Sequence, residues 1–193
     1  WLPGEYRTAV SFAADRNLQT FVELEGGGLD TFKMLYQDGL YYPYLWKVRH
    51  FQEQNPNEME VWFTPAGKPY SFRQKLGEDE PGAALSRDSA FAIAMAGLTD
   101  EWSINLDEYE LVEESEKTQP GGRVDHSFTY QRSGFSMGEN GFLRFNLKVQ
   151  GDVLGEYNHY AQVPEAFKRR FSEMRSANDT IAFSATMAIA VIY

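Results

Sequence analysis

FLRFNLKVQGDVLGEYNHYAQV, residues 142–163, is the stretch that decides the fold. Two strand-like runs, 142–150 and 153–163, flank Gly151-Asp152, a dipeptide suited to a tight turn. This reads as an antiparallel hairpin. Upstream, residues 109–115 and 124–132 supply two more strands, so the second half of the chain carries four. A helix precedes them. Ser86 is its N-cap, Asp88 sits in the positive first turn, and Ala90, Phe91, Ala94, Met95 and Leu98 form one apolar face. A helix laid across one face of a four-stranded sheet is an α+β arrangement.

The first half follows a similar order. Residues 59–64 and 69–74 flank Pro65-Ala66-Gly67-Lys68, a turn sequence, and residues 44–51 alternate as a strand. Residues 6–12 read as a strand, 14–17 as a turn and 18–24 as a second strand, together a hairpin. Gly26-Gly27-Gly28 reads as a flexible break, followed by a two-turn helix on Leu29, Phe32, Leu35 and Tyr36. Strands 6–12, 44–51, 59–64 and 69–74 match strands 109–115, 124–132, 142–150 and 153–163, with Gly67 answering Gly151. The expectation is two tandem helix-plus-antiparallel-sheet units, residues 1–80 and 81–163, joined by an acidic linker at 77–82. The first unit's helix would fall upstream of Trp1. Pro164 then opens a long C-terminal helix, 164–193.

The last fourteen residues, TIAFSATMAIAVIY (180–193), carry no charge. They are too few to span a bilayer, which needs about 20 apolar residues. They read either as a buried core helix or as the start of a membrane span cut short, and the absence of an initiating Met favours the second. A core helix would bury Ile181, Phe183, Met187 and Ile189.

A net charge of −10 over 193 residues argues against a nucleic-acid partner, which needs a basic face. With no cysteine there is no disulfide, thiol nucleophile or Cys-ligated zinc. His50, His126 and His159 lack a second ligand at metal spacing, and Asp125-His126 lies on a strand where neighbours face opposite ways. The acidic runs at 78–80 and 113–116 lack the pattern of a calcium loop and read as solvated faces. No catalytic residue, metal or cofactor is expected. The aromatic strip YYPYLW (41–46) reads as strand packing beneath a helix or, where exposed, as a binding patch. Its candidates are Tyr42, Tyr44 and Trp46, with His50 and His126 beside them.

Several blocks carry a family resemblance: WFTPAG (62–67), Phe72 and EDEPGAALS (78–86); YELVE (109–113) and RVDHSFTY (123–130); VQGD (149–152), VPE (163–165) and RSAN (175–178). Together they resemble the soluble region preceding the membrane core of bacterial CAAX-type (CPBP/Abi) intramembrane proteases, and the tandem units resemble PepSY-like or cystatin-like modules. That family's catalytic Glu-Glu-x-x-x-Arg motif has no counterpart. The only adjacent glutamates, Glu113-Glu114, are followed by Ser115-Glu116-Lys117-Thr118.

The resemblance implies a non-catalytic accessory domain that presents substrate, regulates or senses. Its partners would be the membrane-embedded remainder of the parent chain and a peptide or protein substrate. The alternatives are a stand-alone peptide- or ligand-binding module, and a small-molecule enzyme on a cystatin-like fold. The enzyme reading requires a pocket enclosing His50 or His126 with a carboxylate. Lys168, Arg169, Arg170 and Arg175 before the apolar run would put the domain in the cytoplasm. The PepSY likeness implies the outside, and the extracytoplasmic side is the expectation taken.

Overall fold

The computed structural model describes residues 6–98, 102 and 104–192, with side chains described as far as Ile181. The chain is α+β, built on one eight-stranded antiparallel sheet. Its elements are β1 (Arg7–Ala14), α1 (Arg16–Leu24), α2 (Gly28–Gln37), β2 (Tyr44–Phe51), β3 (Glu58–Phe63), β4 (Pro69–Lys75), α3 (Arg87–Gly97), β5 (Tyr109–Thr118), β6 (Val124–Arg132), β7 (Phe142–Gln150), β8 (Val153–Gln162) and α4 (Glu165–Ile192). The strand order is β1-β2-β3-β4-β8-β7-β6-β5. Each half runs in chain order, and the two halves meet where β4 pairs with β8 through Phe72↔Tyr157 and Arg73↔Glu156.

Period-two alternation gives the sheet two chemically different faces. On one face a single apolar row crosses seven strands: Val10, Val48, Val61, Phe72, Tyr157, Leu147 and Phe128 occupy consecutive paired positions. On the other face Arg49, Glu60, Arg73, Glu156 and Lys148 are paired in turn, and the signs alternate from strand to strand. Such cross-strand opposite charges stabilise modestly and oppose a one-residue slip, which over β7 and β8 would turn Lys148 and Glu156 towards α3. Glu60 is bridged to Lys47, and Arg73 to Glu156 at 3.3 Å. Hydrogen bonds from Lys75, against the raising effect of burial and assisted by Arg49, hold Glu58 below the ordinary carboxylate range.

Helix α3 covers only part of the apolar face. Ser86 caps it by accepting from the Ser89 N–H, and Ala90 and Ala94 are fully buried against the cluster of Phe128, Phe145, Leu147 and Tyr157. Small residues at the contact let the helix sit close to β6, β7 and β8.

Residues 18–24, expected as a strand after a turn at 14–17, lie instead in helix α1. Asp15 is its N-cap and accepts the Leu18 N–H at 3.0 Å. Leu18, Phe21 and Val22 are buried at i, i+3 and i+4 spacing, a helical stripe that overrides the weaker alternation of the same letters. The three glycines form a fixed helix–helix corner rather than a flexible break. Gly26 donates to Phe21 O, and Gly27 caps α2 at φ 101°, a backbone region suited to glycine. A Cβ on Gly26 would lie 2.7 Å from Val22 Cα. The helices of the first half therefore lie between β1 and β2 in the chain. Their apolar faces pack against Met137, Leu143, Val163 and Phe167 in a second cluster, separate from the face of β1–β3.

At the linker, Arg123 is 2 % exposed and acts as a clasp. Its Nε donates to Asp125 Oδ1 at 2.8 Å, and its Nη1 donates to Glu80 O at 3.0 Å and Gly77 O at 3.3 Å. Gln119 Nε2 donates to Asp125 Oδ2 at 2.7 Å, and Lys148 lies 3.5 Å from the same oxygen. Burial alone would raise the Asp125 pKa, yet these partners hold it below its ordinary value.

The C-terminal helix starts at Glu165; Pro164 precedes it, its carbonyl accepting the Lys168 N–H at 3.1 Å. Phe167 meets Phe21 edge-on at 5.1 Å and Arg170 pairs with Glu25. Beyond Phe171 the helix leaves the body: every residue from 172 to 181 is exposed. Ile181 is 67 % exposed, against the buried core helix considered from sequence. Phe183, Met187 and Ile189 lie outside the residues whose side chains are described. Among the described residues no helix is long and apolar enough to cross a membrane.

Candidate binding surface

The five residues singled out from sequence go to four places. Tyr44 and Trp46 share the apolar face of β2 and meet Phe12 of β1, whose ring stacks on Tyr44 at 6.1 Å and touches Trp46 edge-on at 4.9 Å. Tyr42 lies before β2 and turns toward Tyr70, 5.3 Å away. His50 sits at the far end of β2, where its Nδ1 is 2.9 Å from Thr8 Oγ1. His126 is not on the surface. It is 1 % exposed beneath the linker, with Nε2 2.9 Å from Leu85 O.

The strip is covered at its start and open at its end: Tyr41 is buried against Leu18 and Phe21 of α1, Tyr44 is half-buried beside Val22 of α1 and Leu29 and Phe32 of α2, and Trp46 is exposed. Val10 is 62 %, Phe12 53 % and Trp46 43 % exposed. All of β1 except Ala13 is exposed, so among the described residues β1 is open on both faces as well as along its outer edge. Antiparallel sheets normally cover one face with core. Here the row that α3 seals over β6–β8 continues uncovered onto β1 and β2.

The two edges of the sheet are built differently. β5 carries Glu110, Glu113, Glu114, Glu116 and Lys117, and its pairing with β6 shifts register between Leu111 and Glu113. Charge and a bulge blunt an edge against added strands. β1 has a single charge, Arg7, at its start, then Thr-Ala-Val-Ser-Phe-Ala-Ala in unbroken register with β2. Val10 and Phe12 escaped selection from sequence, although an uncharged run in the first strand was the available signal.

A second concavity of about 480 Å³ lies beside the seam of the two halves. Tyr70 of β4, His159 of β8, Tyr109 of β5 and Trp102 line it, with Lys68, Glu108 and Arg132 supplying charge. Tyr70 stacks on His159 at 4.7 Å. Burial lowers the His159 pKa to about 4, so the ring is neutral at pH 7. Burial also pushes the Tyr70 phenol well above its usual value, only partly offset by the backbone of Tyr42. The Tyr70 hydroxyl is buried beside the Tyr42 backbone. His159 was noted in the sequence only as a histidine without a second ligand; its aromatic neighbours come from β4 and β5, which no local spacing reveals.

Neither histidine of the enzyme reading acquires a catalytic setting. His50 borders an open hollow of about 330 Å³ that also touches Glu58. That carboxylate is paired to Arg49 and Lys75, and it precedes Met59, the residue opposite His50, so it projects to the other face. His126 Nδ1 is 3.8 Å from Glu116 and borders none of the hollows described. Among the described residues no group of three or more His, Asp or Glu side chains could hold a metal ion. Compared with known proteins, the chain matches no family model, no curated protein and no solved structure.

Proposed function

We propose that this chain is a non-catalytic polypeptide-binding domain that receives an extended segment of a partner protein along β1. The observation that supports it is the contrast between the edges: β5 is charged and bulged, whereas β1 is regular and almost uncharged. In strand addition, main-chain hydrogen bonds supply affinity and side-chain pockets at alternate positions supply specificity. Val10, Phe12 and Trp46 offer apolar contact on one face, so the segment would carry apolar residues at every second position.

The wider reading is an accessory domain of a membrane-embedded protease, with the partner segment coming from a substrate or from the parent chain. It rests on the block resemblance, with the domain extracytoplasmic and α4 as the connection. The departure of α4 from the body after Phe171 suits that role. We also read the sheet as two cystatin-like units fused through β4 and β8, since each half runs in chain order and the join is antiparallel.

A random-peptide display selection on the immobilised chain tests the binding reading. Enriched peptides should alternate apolar and polar residues, lack proline, and lose at least about tenfold in affinity for a Val10→Lys/Phe12→Lys variant. Both residues are exposed, so the variant should fold. Peptides that bind the variant equally well would overturn the proposal, as would a stable dimer through β1 that leaves no free edge.

A further inference from the structure

We propose that the cavity at the seam of the two half-sheets is a binding site for a small planar monoanion, an aromatic carboxylate of one or two rings. The proposal is independent of the polypeptide-binding reading, because the cavity lies beside β4 and β8 while β1 is the far edge of the sheet. Its volume, about 480 Å³, falls in the range of small-ligand pockets.

The wall selects for a flat ring. Tyr70, Trp102 and Tyr109 present aromatic surface, and such rings favour stacked or edge-on partners. The charges select for one negative group. Arg132 is already committed, with Nη2 paired to Glu108, Nη1 3.4 Å from the Tyr109 hydroxyl, and its guanidinium over the Tyr109 ring at 5.6 Å. Lys68 borders the cavity and has no ion pair among the described residues. Counting Lys68 and Arg132 against Glu108 leaves one positive charge, with His159 neutral. That is an unusual local balance in a chain of net charge −10. A doubly charged phosphate would find one free cation, and a metal ion would find one carboxylate already paired.

Tyr70 contributes its ring and not its oxygen: the hydroxyl is buried away from solvent, so a ligand in the cavity would meet the aromatic side chain.

The test uses phenylacetate, its uncharged analogue phenylacetamide, and acetate, each titrated into the chain while the Trp102 indole N–H is followed by NMR; a Trp102→Phe variant assigns that signal. Phenylacetate should give a saturable shift at least about tenfold tighter than phenylacetamide, and acetate none. Lys68→Met should abolish the preference for acid over amide, and Lys68 is exposed, so this variant should fold. No saturable shift, equal binding of acid and amide, or an unchanged preference in Lys68→Met would each overturn the proposal.

Discussion

Replacing Arg123 by Met should cost the fold more than most other single changes to a charged residue. In the native chain Arg123 and Asp125 are 2 % and 1 % exposed, and the pair is closed by Gln119 and Lys148. Removing one partner of a buried ion pair costs about 3–5 kcal/mol, because the other charge stays buried. Lys148, 3.5 Å from Asp125, would retain part of the compensation, which puts the expected loss near the lower end, about 3 kcal/mol. Unfolding in urea should show that loss, and for a chain of this size Tm should fall by about 6–12 °C. Asp125→Leu added to Arg123→Met should recover part of it, because no unpaired charge remains. The Arg123 variant should also speed amide exchange at Gly121, whose N–H donates to Glu78 O in the linker that Arg123 holds. A loss under about 1 kcal/mol, or a double variant at least as unstable as the single one, would refute the reasoning.

Other consequences follow from named contacts. Asp15→Ala removes the α1 cap and should cost about 1 kcal/mol, with helical signal lost over residues 16–24 if the helix assignment is right. Gly121→Ala should destabilise more than a surface alanine, since its Cβ would lie 2.5 Å from Asp79 O in the linker. The folded pKa of His159, about 4, lies below the unfolded value of ~6.5. The unfolded chain therefore takes up the proton first, and stability should decline as pH falls from ~6.5 towards 4. His159→Phe should flatten that part of the profile when unfolding is measured across pH. Below it, the depressed carboxyls of Glu58 and Asp125 contribute stability that is present above their unfolded values and lost as pH falls through their folded ones; Asp125→Asn should remove part of this lower limb.

What was legible in the sequence was local. The Gly67 and Gly151 turns and the strands beside them announce themselves through period-two alternation and turn residues, and Ser86 marks the start of α3. Residues 18–24 were misread because Leu18, Thr20 and Val22 alternate while Leu18, Phe21 and Val22 also recur helically; the Asp15 cap decides between the two. The pairing of β4 with β8 is a long-range choice that no local pattern encodes. Tyr44 and Trp46 were identifiable as aromatic strand residues, but whether a helix covers them is a tertiary fact. His126 looked accessible because its cover, Leu85 and the linker, lies about forty positions earlier in the chain.

Amide hydrogen exchange on residues 7–14, with and without a display-selected peptide, tests the central claim most directly. In the free chain the β1 amides not bonded to β2 should exchange rapidly, because no strand among the described residues pairs with its outer edge. On saturation with peptide those amides should slow by at least about tenfold while the β5 edge stays unchanged. Protection appearing at β5 or elsewhere, with β1 unaltered, would contradict strand addition at β1.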